Sequence, residues 1–309
     1  MRLAPKILFV LLFLACFTGW ISPPVALLTG IVFGLALPHP FINESRSGAR
    51  ILLQASVVAL GFGMDLHDVL RAGHNGFLYT AAGISFAICA GLLLGGWLHV
   101  RGNSSYLITV GTAICGGSAI AAVGPILQAD PEEMAVSLGT VFVLNSVALL
   151  VFPPLGNALH LSQSQFGLWA ALAIHDTSSV VGATARYGAE ALVIGTTVKL
   201  ARALWIVPVA LATAAVRHNK ARLQLPWFIV LFCLAAVINT YAPSAAQITH
   251  ALFAVGRLGL VATLFLIGTG ITRATLMAIG WRPLLQGVLL WLVVGATSLY
   301  LVHSGLLAF

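Results

Sequence analysis

The sequence predicts an all-α, polytopic membrane protein of about eleven transmembrane helices, and three observations predict it. Only 7% of the 309 residues are charged and 60% are hydrophobic, whereas a soluble domain carries about 25% charged residues. Apolar runs of the ~20 residues that a helix needs to cross a bilayer succeed one another with short connections, and the mean hydropathy is +1.02. Basic residues concentrate in alternate connections. The composition excludes soluble enzymes, nucleic-acid binders and disordered scaffolds. Helix is the only state open to these runs, because lipid leaves an open strand's backbone groups unsatisfied.

The runs lie near residues 6–21, 23–38, 48–66, 76–98, 105–127, 133–153, 164–186, 190–214, 226–241, 247–271 and 283–307. The first follows Met1-Arg-Leu-Ala-Pro-Lys6 and has the flavour of a signal peptide, but further spans follow at once, which predicts a retained helix. The second and ninth are short and flanked by prolines, Pro24 and Pro40 in one case, Pro226 and Pro243 in the other. Cys16, Cys89, Cys115 and Cys233 all lie in apolar runs without paired spacing. They read as small packing residues rather than disulfides or metal ligands.

Orientation follows from the excess of Lys and Arg in cytoplasmic loops. With the N-terminus cytoplasmic, Arg2, Lys6, Arg46, Arg50, Arg101, Arg217, Lys220, Arg222, Arg273 and Arg282 fall inside. Only Arg71 and Arg186 fall outside, and a fifth segment that crosses puts Asp130, Glu132 and Glu133 there too. The three remaining cations, Lys199, Arg202 and Arg257, sit inside apolar runs.

Gly61–Gly73 and Gly268–Gly280 resemble each other: each has Gly-x-Gly at a helix end, an apolar pair and a closing glycine. The charge rule gives the two copies opposite orientation, and inverted repeats characterise secondary transporters with a site near the midplane. The chain then reads as one integral membrane domain over 1–309, with an extra helix at 1–21, a first repeat at 22–154 and an inverted second repeat at 163–309.

The chemistry concentrates in three places. In the fifth run, Gly116-Gly117 should break the helix near mid-membrane and Ser118 should cap a second half-helix, beside Cys115. Exposed N–H groups there form an anion site; close helix packing through small residues is the competing explanation. In the seventh run, His175 and Asp176 sit where an ionised group costs at least ~2.5 kcal/mol, and Thr177, Ser178 and Ser179 after Asp176 read as a capped helix start. In the eighth run, Lys199 and Arg202 share one face at i,i+3 and reach toward Asp176. One of them neutralises the carboxylate and leaves the other for an anionic substrate, unless the set is simply an ion pair that holds two helices together. Arg257 faces the same cavity or snorkels to the interface. Asn145 and Ser146 line the cavity or bond neighbouring helices. Asp65 and Asp68 read as solvated helix-end residues.

Gly111-Thr-Ala-Ile-Cys-Gly-Gly-Ser-Ala-Ile-Ala-Ala122, His175-Asp176 and Val198-Lys-Leu-Ala-Arg202 together resemble the YeiH-like sulfate exporter family, UPF-type multi-span proteins of the bacterial inner membrane. The resemblance covers essentially the whole chain. It implies a fold distantly similar to that of bile-acid symporters and sodium/proton antiporters, with inverted repeats and broken helices near the midplane. In that fold the fourth helices of the two repeats cross, which pairs the fifth run with the tenth. The sequence match instead pairs the third with the tenth and puts the second charged break in the seventh.

No Gly-x-Ser-x-Gly elbow, Walker A loop, His-Glu-x-x-His or Cys-x-x-Cys motif is present, so no enzyme and no cofactor is expected. The expected activity is secondary transport of a small anion such as sulfate, sulfite or an organosulfonate, with His175 and Asp176 coupling it to protons. The substrate would meet Cys115, Gly116, Gly117, Ser118, Thr177, Ser178, Ser179, Lys199 and Arg202. The competing activity is cation/proton antiport through Asp176, and a membrane-embedded enzyme built on His175 and Asp176 is the third. The expected partners are the anion and the lipid bilayer, with a homodimer as the candidate assembly and no nucleic acid.

Overall fold

The computed structural model describes residues 3–100, 102–217 and 227–307. Arg2, Arg101, Lys220, Arg222 and Pro226 lie outside the described residues, as do the side chains of Arg46, Asp68, Arg71 and Pro243. All eleven apolar runs are helical, and no strand occurs among the described residues. The helices are α1 (Leu3–Ala15), α2 (Pro23–Ala36), α3 (Ile42–Gly61), α4 (Leu66–Trp97), α5 (Ser104–Ala113), α6 (Gly117–Val123), α7 (Pro131–Ala158), α8 (Gln163–Ala173) and α9 (Thr177–Tyr187). After these come α10 (Ala189–Leu204), α11 (Ile206–Arg217), α12 (Trp227–Tyr241), α13 (Ala246–Thr269), α14 (Arg273–Ala278) and α15 (Trp281–His303). Five stretches are long and apolar enough to cross a membrane: Tyr79–Trp97, Glu132–Ala158, Ala189–Arg217, Ala246–Thr269 and Trp281–His303. Together with α1, α2, α3 and α12 they account for nine of the eleven runs.

The chain forms two compact units, Met1–Leu70 with Pro226–Arg273 and Arg71–Leu225 with Ala274–Phe309. Two of the three passages between them fall inside the matched segments 61–73 and 268–280.

The first unit is built on α13, which packs against α2 and α3 while α12 packs against α3. The backbones nearly touch: a Cβ on Gly268 would lie 2.5 Å from Leu27 O and 3.1 Å from the Gly30 carbonyl carbon. Small residues permit this approach, which is how helices gain contact in lipid. Phe9 of α1 closes one side, with ring centroids 5.3–5.6 Å from Phe33, His39, Phe41 and Phe265. His39 meets the Thr269 hydroxyl at 3.0 Å. Asp65 is a helix-end residue, accepting from the His67 amide at 2.7 Å.

The second unit holds the fifth and seventh runs, and each turns back on itself. The start of α7 lies beside the start of α5: Glu133 accepts from the Asn103 amide at 2.7 Å and from its side-chain amide at 3.0 Å. From there α5 and α7 rise together, Gly111 and Gly116 packing on Val141. Helix α6 then descends along α7, from Phe142 beside Gly117 to Met134 beside Gly124. The pair α5–α6 is therefore a re-entrant hairpin. The same holds for α8–α9: the Phe166 and Tyr187 rings stack at 3.8 Å, and the Tyr187 hydroxyl donates to Leu161 O at 2.7 Å. At about 1.5 Å per residue, the ten residues of α5 and eleven of α8 reach halfway through a ~30 Å hydrocarbon core.

Because α7 runs from the base of the first hairpin to the base of the second, the hairpins enter from opposite faces and meet tip to tip. A Cβ on Gly116 would lie 3.5 Å from Asp176 Cα. This corrects two expectations. The fifth and seventh runs are hairpins rather than single crossings, and Asp130, Glu132 and Glu133 lie on the face of Gly102 and Asn103, not opposite it. Hydropathy measures apolar length and is blind to a reversal.

The turn of the first hairpin depends on Gly116, at φ +67 and ψ −129, a conformation closed to side-chain-bearing residues. Gly116→Ala should cost ~1–3 kcal/mol and lower the melting temperature; an unchanged melt contradicts this turn. Single cysteines at Val100 and Glu132 should be labelled by an impermeant thiol reagent from one side of the membrane, and those at Ser164 and Glu190 from the other. Labelling of Val100→Cys and Glu132→Cys from opposite sides refutes the first hairpin.

Candidate functional site at the hairpin tips

The second tip is the segment Ile174-His175-Asp176 between α8 and α9. Asp176 is the N-cap of α9: its Oδ2 accepts from the Ser178 amide at 3.1 Å, the Ser179 amide at 3.3 Å and the Ser178 hydroxyl. A short acidic side chain reaches the free N–H groups of a first turn, so the capped start expected from sequence forms. Thr177, Ser178 and Ser179 are buried and Asp176 is half-buried. Asn145 of α7 holds the turn from the other side, its Oδ1 accepting the His175 and Asp176 amides, each at 3.2 Å. Asn145 thus bonds the neighbouring hairpin, one of the two roles that the sequence allowed it.

At the first tip the N-cap is Gly116, with no side-chain cap bond. Ser118 was expected to fill that role. Because the chain reverses at the positive φ of Gly116, the helix begins at Gly117, and Ser118 falls in its first turn with an exposed side chain. Cys115 is buried beneath it, and the Ala119 amide points at its sulfur. All four cysteines are free.

Lys199 and Arg202 of α10 are 0% and 1% exposed. No ion pair links either of them to Asp176 among the described residues, so the expected direct contact does not form, although Lys199 still faces the carboxylate. Both turn instead to the carbonyl ends of the half-helices. Lys199 Nζ donates to Ile174 O at 2.7 Å and to Ala171 O at 3.4 Å. Arg202 joins the hairpins: Nε donates to Ala113 O at 2.7 Å and Nη2 to Thr112 O at 3.4 Å, while Nη1 donates to Ala171 O at 3.3 Å and to Leu172 O. A helix C-terminus carries about half a negative charge and unpaired carbonyls, so two such ends at one depth attract cations as a carboxylate does. The shared face of Lys199 and Arg202 was read correctly; their partners are backbone.

In the elements that form this cage several buried polar atoms have no partner among the described residues: both ring nitrogens of His175, Asn145 Nδ2, and the hydroxyls of Thr112, Thr196 and Thr197. A buried polar group without a partner costs about 1–3 kcal/mol. A water or small solute that bonds these atoms would recover that cost. No group of three or more His, Cys, Asp or Glu that could hold a metal occurs among the described residues. Arg257 is exposed on α13 in the other unit.

The two tips also match in sequence. Ala113-Ile114 leads to Ser118, and Ala173-Ile174 leads to Ser178, at the same spacing. This short repeat is the signal from which the pairing of the fifth and seventh runs could have been read.

Comparison with known proteins agrees with the motif resemblance. The family profile described as conserved hypothetical protein 698 matches residues 7–287. A UPF0324 membrane protein of Bdellovibrio bacteriovorus is 50% identical over 301 residues, covering 95% of this chain and 93% of its own. UPF0324 membrane proteins of Bacteroides thetaiotaomicron and Geobacter sulfurreducens are 46% and 47% identical, covering 94% of this chain in each case and 89% and 94% of their own lengths. No solved structure matches the chain. With its eleven apolar runs, its paired hairpins and these relatives, the chain belongs to the UPF0324 family of multi-pass membrane proteins.

Proposed function

We propose that this membrane protein is a secondary transporter of a small anion, such as sulfate, sulfite or an organosulfonate, acting by alternating access. The observation that carries the reading is charge at the tips. Four half-helix ends contribute about half a charge each and cancel in pairs. That leaves Lys199 and Arg202, both fully buried, against the single carboxylate of Asp176. The balance of about +1 in a poorly solvated setting favours an anion. It also disfavours cation/proton antiport through Asp176, whose carboxylate already caps α9. We read the protein as a carrier rather than a catalyst, with protons as the coupling ion through His175 and Asp176.

The same reading puts the protein in the bacterial inner membrane with a cytoplasmic N-terminus. Replacing two crossings by two hairpins entering from opposite faces restores the parity of the chain after the seventh run. Arg217, Arg273 and Arg282 therefore keep the cytoplasmic assignment that the charge rule gave them, and Asp130, Glu132 and Glu133 join them, which the rule tolerates because acidic residues weigh little in it.

Melting curves of the purified protein should shift upward with sulfate, sulfite or methanesulfonate and stay unmoved by sodium or potassium as chloride salts; stabilisation by cations alone rejects the anion assignment. Lys199→Met should remove that stabilisation and abolish flux in proteoliposomes while the protein still inserts. Arg202→Ala should go further and cost ~3–5 kcal/mol, because it strips the carbonyl ends of both hairpins. Wild-type flux in both variants contradicts the role given to these cations.

A further inference from the structure

We propose that the Asp176 carboxylate is a built-in competitor for the transported anion: it occupies the seat at the N-terminus of α9, and an anion takes that seat when the carboxyl is protonated and turns aside. The inference rests on the anion-transport reading and specifies its coupling.

The seat is already shaped for an oxyanion. Asp176 Oδ2 collects three donors, the Ser178 and Ser179 amides and the Ser178 hydroxyl, the kind of set that a helix N-terminus offers to sulfate or carboxylate. α9 has eleven residues, enough to sustain that terminus. A second observation points independently to a ligand. The Oδ1 of Asn145 receives the Asp176 amide, so its Nδ2 lies at the same tip, on a side chain only 3% exposed, with no acceptor among the described residues. The carboxylate accepts from one side of the tip and leaves this donor unused. An oxyanion has more acceptor oxygens than a carboxylate and could use both sets. Asp176 itself is half-buried, whereas both cations are fully buried.

The charged and titratable groups facing Asp176 are Lys199 from α10 and Cys115 from the first hairpin tip; Arg202 faces Cys115 and Lys199, and His175 is the neighbour of Asp176 in the chain. Asn145 is the polar contribution of α7, and α8 carries no titratable side chain. In the resting site one carboxylate answers the two cations. Protonation takes one proton from solution onto an Asp176 carboxylate oxygen and removes one negative charge. An incoming anion restores that charge, and no other bond is made or broken. Each univalent anion then enters with one proton, so the sign of the linkage is fixed: binding strengthens as pH falls.

Isothermal titration of the detergent-purified protein with sulfate and with methanesulfonate, neither of which titrates between about pH 5.5 and 8, tests this. Above the carboxyl's titration, wild-type affinity should rise up to about tenfold per unit fall in pH, the slope of a one-proton linkage. Buffers of different ionisation heat should report about one proton taken up per anion. Asp176→Ala, which empties the seat, should bind several-fold more tightly than wild type near neutral pH, with no slope and no proton uptake. Asp176→Asn keeps a neutral cap on α9 and should likewise lose the slope, which covers the case in which the alanine variant does not fold. Wild-type slope or proton uptake retained in a folded variant overturns the competitor role and leaves the transport reading intact. A folded Asp176→Asn protein that binds neither probe also overturns it, since the carboxylate would then be needed for binding. Wild-type protein that binds neither probe at any pH overturns the anion reading itself.

Discussion

Arg202 is the contact on which the rest of the second unit depends. A helix that stops halfway through a membrane leaves up to four carbonyls unpaired, in surroundings without water to take them. Here two helices stop at the same depth, and one guanidinium donates to both ends, through Nε to Ala113 and through Nη1 to Ala171 and Leu172. A lysine offers a point charge without that fork, and Lys199 accordingly serves only the second hairpin. The tips can meet because a cation binds their negative ends together.

With the carbonyl ends occupied, the amide ends remain to do chemistry. The two half-helices that leave the tips, α6 and α9, begin beside one another: Gly116 packs against Asp176, and Ser118 is exposed in the first turn of α6. One start is uncapped by any side chain and the other is capped by a single carboxylate. The positive potential at the tips thus comes from cations placed to satisfy structure. In the proposed transport reading, function rests on what the carbonyls leave over, so neither cation needs to touch the solute.

Much of this fold was legible in the sequence. Each of the eleven apolar runs coincides with a helix or hairpin, although α4 starts ten residues before its run, the breaks after Ala113 and Ala173 fall where Gly116-Gly117 and His175-Asp176 announced them, and Asp176 caps as its residue type demands. What stayed hidden was direction. Hydropathy does not distinguish a crossing from a hairpin of equal length, and the charge rule was blind because two hairpins cancel in parity, so every strong marker kept its side. The partners of Lys199 and Arg202 were hidden for another reason: the carbonyl end of a half-helix carries as much pull as a side chain but has no residue type to announce it. Asn145 bonds a neighbouring element as its residue type allowed, but its partners, two backbone amides, were hidden for the same reason.

The central claim is that hairpin tips held by two buried cations carry a small anion. Solute counterflow tests it most directly: proteoliposomes preloaded with unlabelled sulfate, sulfite or methanesulfonate, diluted into a trace of the same labelled anion. The account predicts transient accumulation of label for at least one of the three, absent with Lys199→Met protein. Uptake no greater than in protein-free liposomes for all three anions would contradict it.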